Sequence, residues 1–163
     1  MRKLPAYLLQ PTDLPVDFGR FMLTRVLGDG AMARVFLAER QGTAGFTKEV
    51  ALKVIRPRVG GDAFEFREML LQEARLGAFL RHTNVVDVYE LGEVEDQLYM
   101  AMELVEGGTI SGLSGKIPWT SLKKILMDVL DALARAHARG MIHRDIKPAN
   151  VLLDTVTGHV KIS

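Results

Sequence analysis

The sequence predicts an α+β fold built from antiparallel strands with helices set apart from them. Three observations carry this expectation. Short apolar-alternating runs bounded by turn residues fall at 21–27, 33–39, 48–55, 85–94 and 97–105. Two longer stretches, 62–80 and 120–139, switch to helical spacing. The order of elements is three strands, helix, two strands, helix, loop and a small hairpin, so strand and helix do not alternate as a parallel sheet would require.

Each element follows from its residues. The run from Phe21 ends at Gly28-Asp29-Gly30, a turn signal, and the next run carries Val35, Phe36 and Leu37. Gly42, Thr43 and Gly45 close that hairpin before Lys48 opens the third strand. In 62–80, Phe64, Leu70, Leu71, Ala74 and Ala78 recur at helical spacing, with Asp62 as a first-turn acid. Glu95-Asp96 marks the turn between the fourth and fifth strands. Gly107-Gly108 and the stretch from Gly112 to Gly115 read as a loosely ordered connection. In 120–139 the residues Leu122, Ile125, Leu126, Val129, Leu130, Leu133, Ala136 and His137 cover one broad face, Trp119 packs at its start, and Gly140 stands where a helix C-terminus favours glycine. Short strands at 151–153 and 160–162 flank Thr157-Gly158. Residues 1–17, with prolines at 5, 11 and 15 and no period, read as a flexible leader outside the fold.

Composition narrows the function classes. The 163 residues are 48% hydrophobic and 25% charged, an ordinary globular mix. A formal net charge of +1 gives no electrostatic footprint for nucleic acid. The absence of cysteine excludes disulfides, thiolate metal sites and a cysteine nucleophile, and fits a reducing compartment. No apolar run approaches the roughly 20 residues of a membrane span, so a cytoplasmic location is expected. His82, His137 and His159 are scattered without metal-ligand spacing.

Four motifs carry chemistry. Gly28-x-Gly30-x-x-Ala33-x-Val35 between two strands lets backbone N–H groups approach phosphate oxygens, although a plain hairpin turn would read the same. Lys53 in Val50-Ala51-Leu52-Lys53 is an ammonium among apolar strand residues, and such a group needs a partner. Glu73, on the expected helix 62–80, is a candidate partner, with Glu65 and Glu68 as rivals on period alone. The fourth is His143-Arg144-Asp145-Ile146-Lys147-Pro148-Ala149-Asn150. It places a carboxylate, a cation two residues on and an amide three further on one proline-stiffened loop. Such a loop can orient a hydroxyl, neutralise a phosphoryl group and ligate magnesium.

With GDGAMARV, VALK and HRDIKPAN in this order, the sequence resembles the eukaryotic-like serine/threonine protein kinases of bacteria over residues 18–163. The resemblance implies a protein-kinase-like α+β domain: a five-stranded antiparallel N-lobe sheet with one helix, then the first helix, catalytic loop and small hairpin of an incomplete C-lobe. Residues 18–105 would be N-lobe and hinge, and 106–163 partial C-lobe. It implies Mg2+ and ATP as cofactor and phosphoryl donor, and a protein Ser/Thr hydroxyl as acceptor. Lys53 would hold the α- and β-phosphates and pair with Glu73. Asp145 would act on the hydroxyl, Lys147 on the phosphoryl group, and Asn150 would bind magnesium. Leu27, Val35, Ala51 and Leu152 would clamp the adenine, Gly28 and Gly30 would cradle phosphate, Glu103 and Val105 would read the adenine edge, and Met102 would be the gatekeeper.

The sequence also departs from the family. Ala33 replaces the third glycine, Gly77 a larger apolar residue, and Thr83 the usual proline of His82-x-Asn84. Lys161-Ile162-Ser163 stands where the family's D-F-G segment would follow. The expectation is therefore an incomplete domain, inactive and aggregation-prone by itself. Two rivals have different consequences: a truncated nucleotide- or partner-binding module without turnover, and a small-molecule kinase of similar fold. Intact Lys53, Asp145, Lys147 and Asn150 oppose the first, and the DIKPAN loop opposes the second.

Overall fold

A computed structural model describes residues 4–42, 45–57, 80–113 and 117–163. It resolves into two compact units, one comprising residues up to 57 together with Val88–Leu104, the other comprising 80–87 and Val105–Ser163. The predicted helix over 62–80, with Glu73 and Gly77, lies outside the described residues apart from its last position.

The first unit is a six-stranded sheet, in the order β1-β2-β3-β4-β6-β5 and antiparallel throughout. Its strands are β1 (Val16–Phe18), β2 (Phe21–Asp29), β3 (Ala33–Gln41), β4 (Thr47–Ile55), β5 (Val88–Val94) and β6 (Gln97–Met102). The expected five strands are all present. The sixth, β1, comes from the segment read as a leader. Its turn into β2 uses Gly19 at φ 59°, and Phe18 pairs with Phe21. The β5–β6 turn is a two-residue loop in which both Glu95 and Asp96 have positive φ, matching the right-handed twist of the flanking strands.

Period two divides the sheet into two faces. Leu23, Phe36, Ala38, Val50, Leu52, Val54, Tyr99 and Ala101 form one buried face, completed by Phe18 and Phe21. Phe18 and Phe21 meet the Tyr99 ring edge-on, at centroid distances of 5.8 and 5.2 Å. The Tyr99 hydroxyl donates to Glu90 at 2.7 Å, and Glu90 also holds Arg20 and, at 3.5 Å, Arg40.

Residues 5–14 differ from the flexible leader of the sequence reading. Two short 3-10 turns, Ala6–Leu8 and Pro11–Asp13, bury Ala6 and Leu9 in this same core. The Ala6 N–H donates to Gln97 Oε1 at 2.6 Å. Prolines preclude a regular helix there but not a pair of tight turns, so the segment packs without showing any period.

Among its described residues the second unit has a three-stranded sheet, β7 (Gly107–Thr109), β8 (Val151–Asp154) and β9 (Val160–Ile162), and the helix α1 (Trp119–His137). Residues 107–113, expected as a loose connection, instead form β7 and the 3-10 turn Ile110–Leu113. Helix α1 buries Ile125, Val129, Ala132 and Ala136 against Leu80, Val85, Val151, Val160 and Ile162. This stripe is narrower than the predicted face: Leu126, Leu130 and His137 are exposed, and Trp119 is 74% exposed instead of packed. Gly140 adopts φ 70°, and the following Met141 N–H reaches Ala136 O at 3.0 Å, the closure expected of a glycine-terminated helix. Asn84, from the His82-x-Asn84 motif, fixes β9: its Nδ2 donates to Val160 O at 2.7 Å, and its own carbonyl accepts from Ile162 N at 2.9 Å.

Candidate active site

The first unit places Val35, Ala51, Lys53 and Met102 on the sheet face opposite the core. Cross-strand register sets Val35 opposite Lys53 and Lys53 opposite Met100. It likewise sets Leu37 opposite Ala51 and Ala51 opposite Met102. Gly28 pairs with Val35 at the end of the same face. Since paired residues in an antiparallel sheet project to one side, Val35, Ala51, Lys53 and Met102 share a face. Lys53 is half-buried between the buried Leu52 and Val54. Leu27 is partly exposed on β2. Glu103 follows β6, and Val105 and Leu152 belong to the second unit.

The loop between β2 and β3 is tight, with Gly30 N–H donating to Ala33 O at 3.0 Å. A Cβ added at Gly28 would meet nothing within 4 Å, and Gly28 does not need positive φ. Neither packing nor backbone conformation therefore requires glycine at this position.

The second unit assembles the motif His143–Asn150 between α1 and β8. Lys147 Nζ donates to both carboxylate oxygens of Asp145, at 3.0 and 2.8 Å. Asn150 Nδ2 donates to the Asp145 carbonyl at 2.8 Å and to its Oδ2 at 2.9 Å. The 3-10 turn Pro148–Asn150 brings Asn150 back over Asp145, closed by Asn150 N–H to Lys147 O at 2.9 Å. The Asp145 N–H donates to His143 Nδ1 at 3.3 Å, while His143 Nε2 lies 3.2 Å from the carbonyl of Ser163, so the ring's proton sits on Nε2. Ser163 N–H in turn donates to Asn150 O at 3.0 Å. Arg144, between His143 and Asp145, takes φ 67°, a conformation that non-glycine residues adopt at a cost of order 1 kcal/mol and that clusters at functional loops.

The hydrogen bond from Lys147 holds the Asp145 carboxyl below its ordinary range. Partial burial opposes this, and the Asn150 hydrogen bond and the Lys147 charge reinforce it. Both members of the pair remain open to solvent, with side chains 62% (Asp145) and 53% (Lys147) exposed. The sequence reading thus named Asp145, Lys147 and Asn150, and the fold brings them together. It did not name the roles of His143 and Ser163 in fixing the loop, although the histidine in the motif was the available signal.

Sequence comparison decides the family. The protein kinase domain model matches residues 21–163.

The chain belongs to the protein kinase family.

Among kinases, it is 37% identical over 148 residues to the serine/threonine-protein kinase PrkC of Bacillus subtilis, covering 89% of this chain and 22% of PrkC. It is 35% identical over 170 residues to the tyrosine-protein kinase MasK of Myxococcus xanthus, covering 95% of this chain and 25% of MasK. The crystal structure of the Mycobacterium tuberculosis PknI kinase domain superposes with a TM-score of 0.73 at 33% identity, covering 91% of this chain and 60% of that one. The chain therefore spans about a quarter or less of the length of these two curated kinases. No helix among the described residues is long and apolar enough to cross a membrane. Among those residues no group of three or more His, Cys, Asp or Glu side chains is placed to hold a metal.

Proposed function

We propose that this kinase chain supplies the ATP-binding sheet and catalytic loop for transfer of the γ-phosphoryl group of ATP to a protein Ser or Thr hydroxyl. The observation that carries the reading is the Asp145–Lys147–Asn150 cluster, an exposed carboxylate oriented by a cation and an amide on one rigid loop. In the reaction, the acceptor oxygen bonds to the γ-phosphorus, the bond to the β,γ-bridging oxygen breaks, ADP leaves carrying that bond's electron pair, and the hydroxyl proton is released to solvent water. A carboxylate held below its ordinary range is a weak base, so Asp145 acts chiefly by accepting the hydroxyl's hydrogen bond and aiming its oxygen. Lys147, beside it, balances charge on the transferring group. Lys53 holds the α- and β-phosphates, with Glu73 as its partner. Val35, Ala51, Leu27 and Leu152 pack the adenine, Gly28 and Gly30 cradle phosphate, Glu103 and Val105 read the adenine edge, and Met102 is the gatekeeper. We take residues 18–105 as N-lobe and hinge and 106–163 as part of the C-lobe, with a cytoplasmic location where ATP is the donor.

Magnesium fits the donor set in part. With both Nδ2 hydrogens of Asn150 committed to Asp145, its Oδ1 is the atom left to ligate, a hard oxygen suited to Mg2+. One amide oxygen is a single ligand, consistent with an ion that keeps waters and binds substrate phosphates. Bound there, the ion would neutralise phosphate charge.

The test is transfer of labelled γ-phosphate from Mg-ATP to a generic protein substrate, by the 163-residue chain and by the protein as its genome encodes it, each with an Asp145→Asn control. Transfer that disappears in the control supports the reading. Transfer indifferent to Asp145, or none from the encoded protein, overturns it. Serine, threonine and tyrosine products are separated after hydrolysis, because the similar MasK is named a tyrosine kinase.

Two further results are expected. Gly28→Ala should leave the unfolding midpoint within about 0.5 kcal/mol, since its Cβ meets nothing, while weakening ATP binding about tenfold or more through loss of close backbone approach. Isothermal titration beside urea unfolding separates the two, and unchanged ATP affinity would remove Gly28 from the site. Lys147→Ala should raise the Asp145 titration midpoint toward the ordinary aspartate range, read from the carboxyl carbon by NMR. The sign follows from the lowered pKa. The small stabilisation from this exposed pair is present above the ordinary aspartate range and is lost as pH falls through the depressed midpoint. An unmoved midpoint in Lys147→Ala would refute the assigned cause.

A further inference from the structure

We infer that Arg34 is a positioning residue that ties residues 5–14 to the phosphate-binding loop, so that docking of this N-terminal strap sets the loop's geometry and with it the affinity for ATP. The ATP clause rests on the kinase reading above; the coupling of strap to loop does not.

Arg34 lies at the start of β3, two residues before Phe36 and four before Ala38, and so projects from the buried face of the sheet. Its register partners are Asp29 on β2 and Val54 on β4. A guanidinium at that position is costly unless its donors are met, yet Arg34 is only 7% exposed. The acceptors come from two sources. Nη1 donates to the backbone carbonyl of Leu9 and, at 3.4 Å, to that of Tyr7. Nη2 lies 3.2 Å from Asp29 Oδ2. The guanidinium also sits 5.9 Å from the Phe36 ring centroid. Its Nε is buried with no partner among the described residues, so the Nη contacts carry the compensation.

Asp29 is the residue between Gly28 and Gly30. It also holds Arg56, whose own N–H donates to Met32 O in the same loop at 2.9 Å. The strap therefore bears on the loop through a single rigid fork, carbonyls on one side and carboxylate on the other. The strap buries Ala6 and Leu9, packs the partly buried Tyr7 and Leu14 on the same core and makes the Ala6–Gln97 hydrogen bond, but its two short turns lie outside the strand ladder, so its release leaves the ladder's pairing in place. On departure Arg34 loses its carbonyls, the buried cation must move toward water, and Asp29 loses one of two cationic partners.

The experiment uses Leu9→Asp, which ejects the strap without touching the loop, Arg34→Met, which cuts the link, and the double variant. The first readout is hydrogen exchange at residues 28–33 in the 163-residue chain, which needs no activity. Both single variants should raise exchange there about five- to tenfold, and the double variant should add little, because one link has been cut twice. The second is the KM for ATP against kcat in whichever form shows Asp145-dependent transfer: KM should rise about fivefold while kcat stays within twofold. Arg34→Lys, which keeps charge but not the fork, should rescue only part of the effect. Loop exchange unchanged in Leu9→Asp, or fully additive effects in the double variant, would overturn the coupling. Should Arg34→Met fail to fold, Leu9→Asp decides by itself. Absence of any Asp145-dependent transfer would sink the kinase reading while leaving the exchange result to judge the strap.

Discussion

Asp145→Asn should lower phosphoryl transfer by about a thousandfold or more, with ATP affinity changed far less. Removing a preorganised hydrogen-bond partner of the reacting group costs about 10²–10³ in rate, the loss of loop order adds to this, and a thousandfold loss corresponds to about 4 kcal/mol of transition-state stabilisation. The expected loss falls on Asp145 in particular under the proposed function. Its carboxylate is the focus of the loop: Lys147 binds both oxygens, Asn150 binds Oδ2 and the main-chain carbonyl, and His143 accepts from its N–H. Asparagine in its place keeps the size but presents one amide donor toward Lys147 and Asn150, which are themselves donors. The loop is thus expected to lose both its acceptor for the substrate hydroxyl and its internal order. Steady-state kinetics of the encoded protein, with ATP affinity measured independently, checks the split. A variant retaining more than about a tenth of the wild-type rate would show that hydroxyl orientation comes from elsewhere.

The legibility of the molecule follows from the kind of signal each part leaves. Strands β2 to β6 were visible because their buried faces repeat every second residue and their turns carry Gly or Glu-Asp. Their ends were less so: the fourth run was expected from 85 but β5 starts at Val88, and the fifth was expected to 105 but β6 ends at Met102. The intervening Val85 and Val86 serve the second unit instead, bonded to β9. The Asp145–Lys147–Asn150 cluster was legible because its members sit within one run of eight residues, whereas the tie to Ser163 lies outside that run. Strand β7 was not, since Gly107-Gly108 has no side chains with which to alternate. The strap was missed because proline-rich tight turns bury single residues, Ala6 and Leu9, without period. Arg34 left a trace that went unread: alternation with Phe36 and Ala38 assigns it to the core face, and a charge there signals an unseen set of acceptors.

The glycines of β7 make the second large prediction, and a separate one. Gly107 pairs with Asp154 across β7 and β8, and a Cβ there would fall inside the van der Waals envelope of the Leu153 carbonyl oxygen, 3.1 Å from its carbon and 3.3 Å from Thr155 Cγ2. The obstacle is backbone already in a sheet, so no rotamer change relieves it. The strands must part, and the neighbouring tie cannot follow: Thr155 donates to Glu106 O through both its N–H (2.7 Å) and its Oγ1 (2.7 Å). Overpacking in a well-filled site costs about 1–3 kcal/mol, occasionally more, and a rigid backbone obstacle belongs at the upper end. Gly107→Ala should therefore destabilise the second unit by about 3 kcal/mol, whereas Gly108→Ala, where a Cβ meets nothing within 4 Å, should stay within about 0.5 kcal/mol. Urea unfolding followed by the NMR amide signals of β8 and β9 reads the difference. Equal midpoints for the two variants would mean that β7 does not pair as described. Because Gly107 lies two residues beyond Val105, proposed to read the adenine edge, a shifted β7 should also weaken ATP binding. That places a fold requirement and a binding requirement on one short glycine strand.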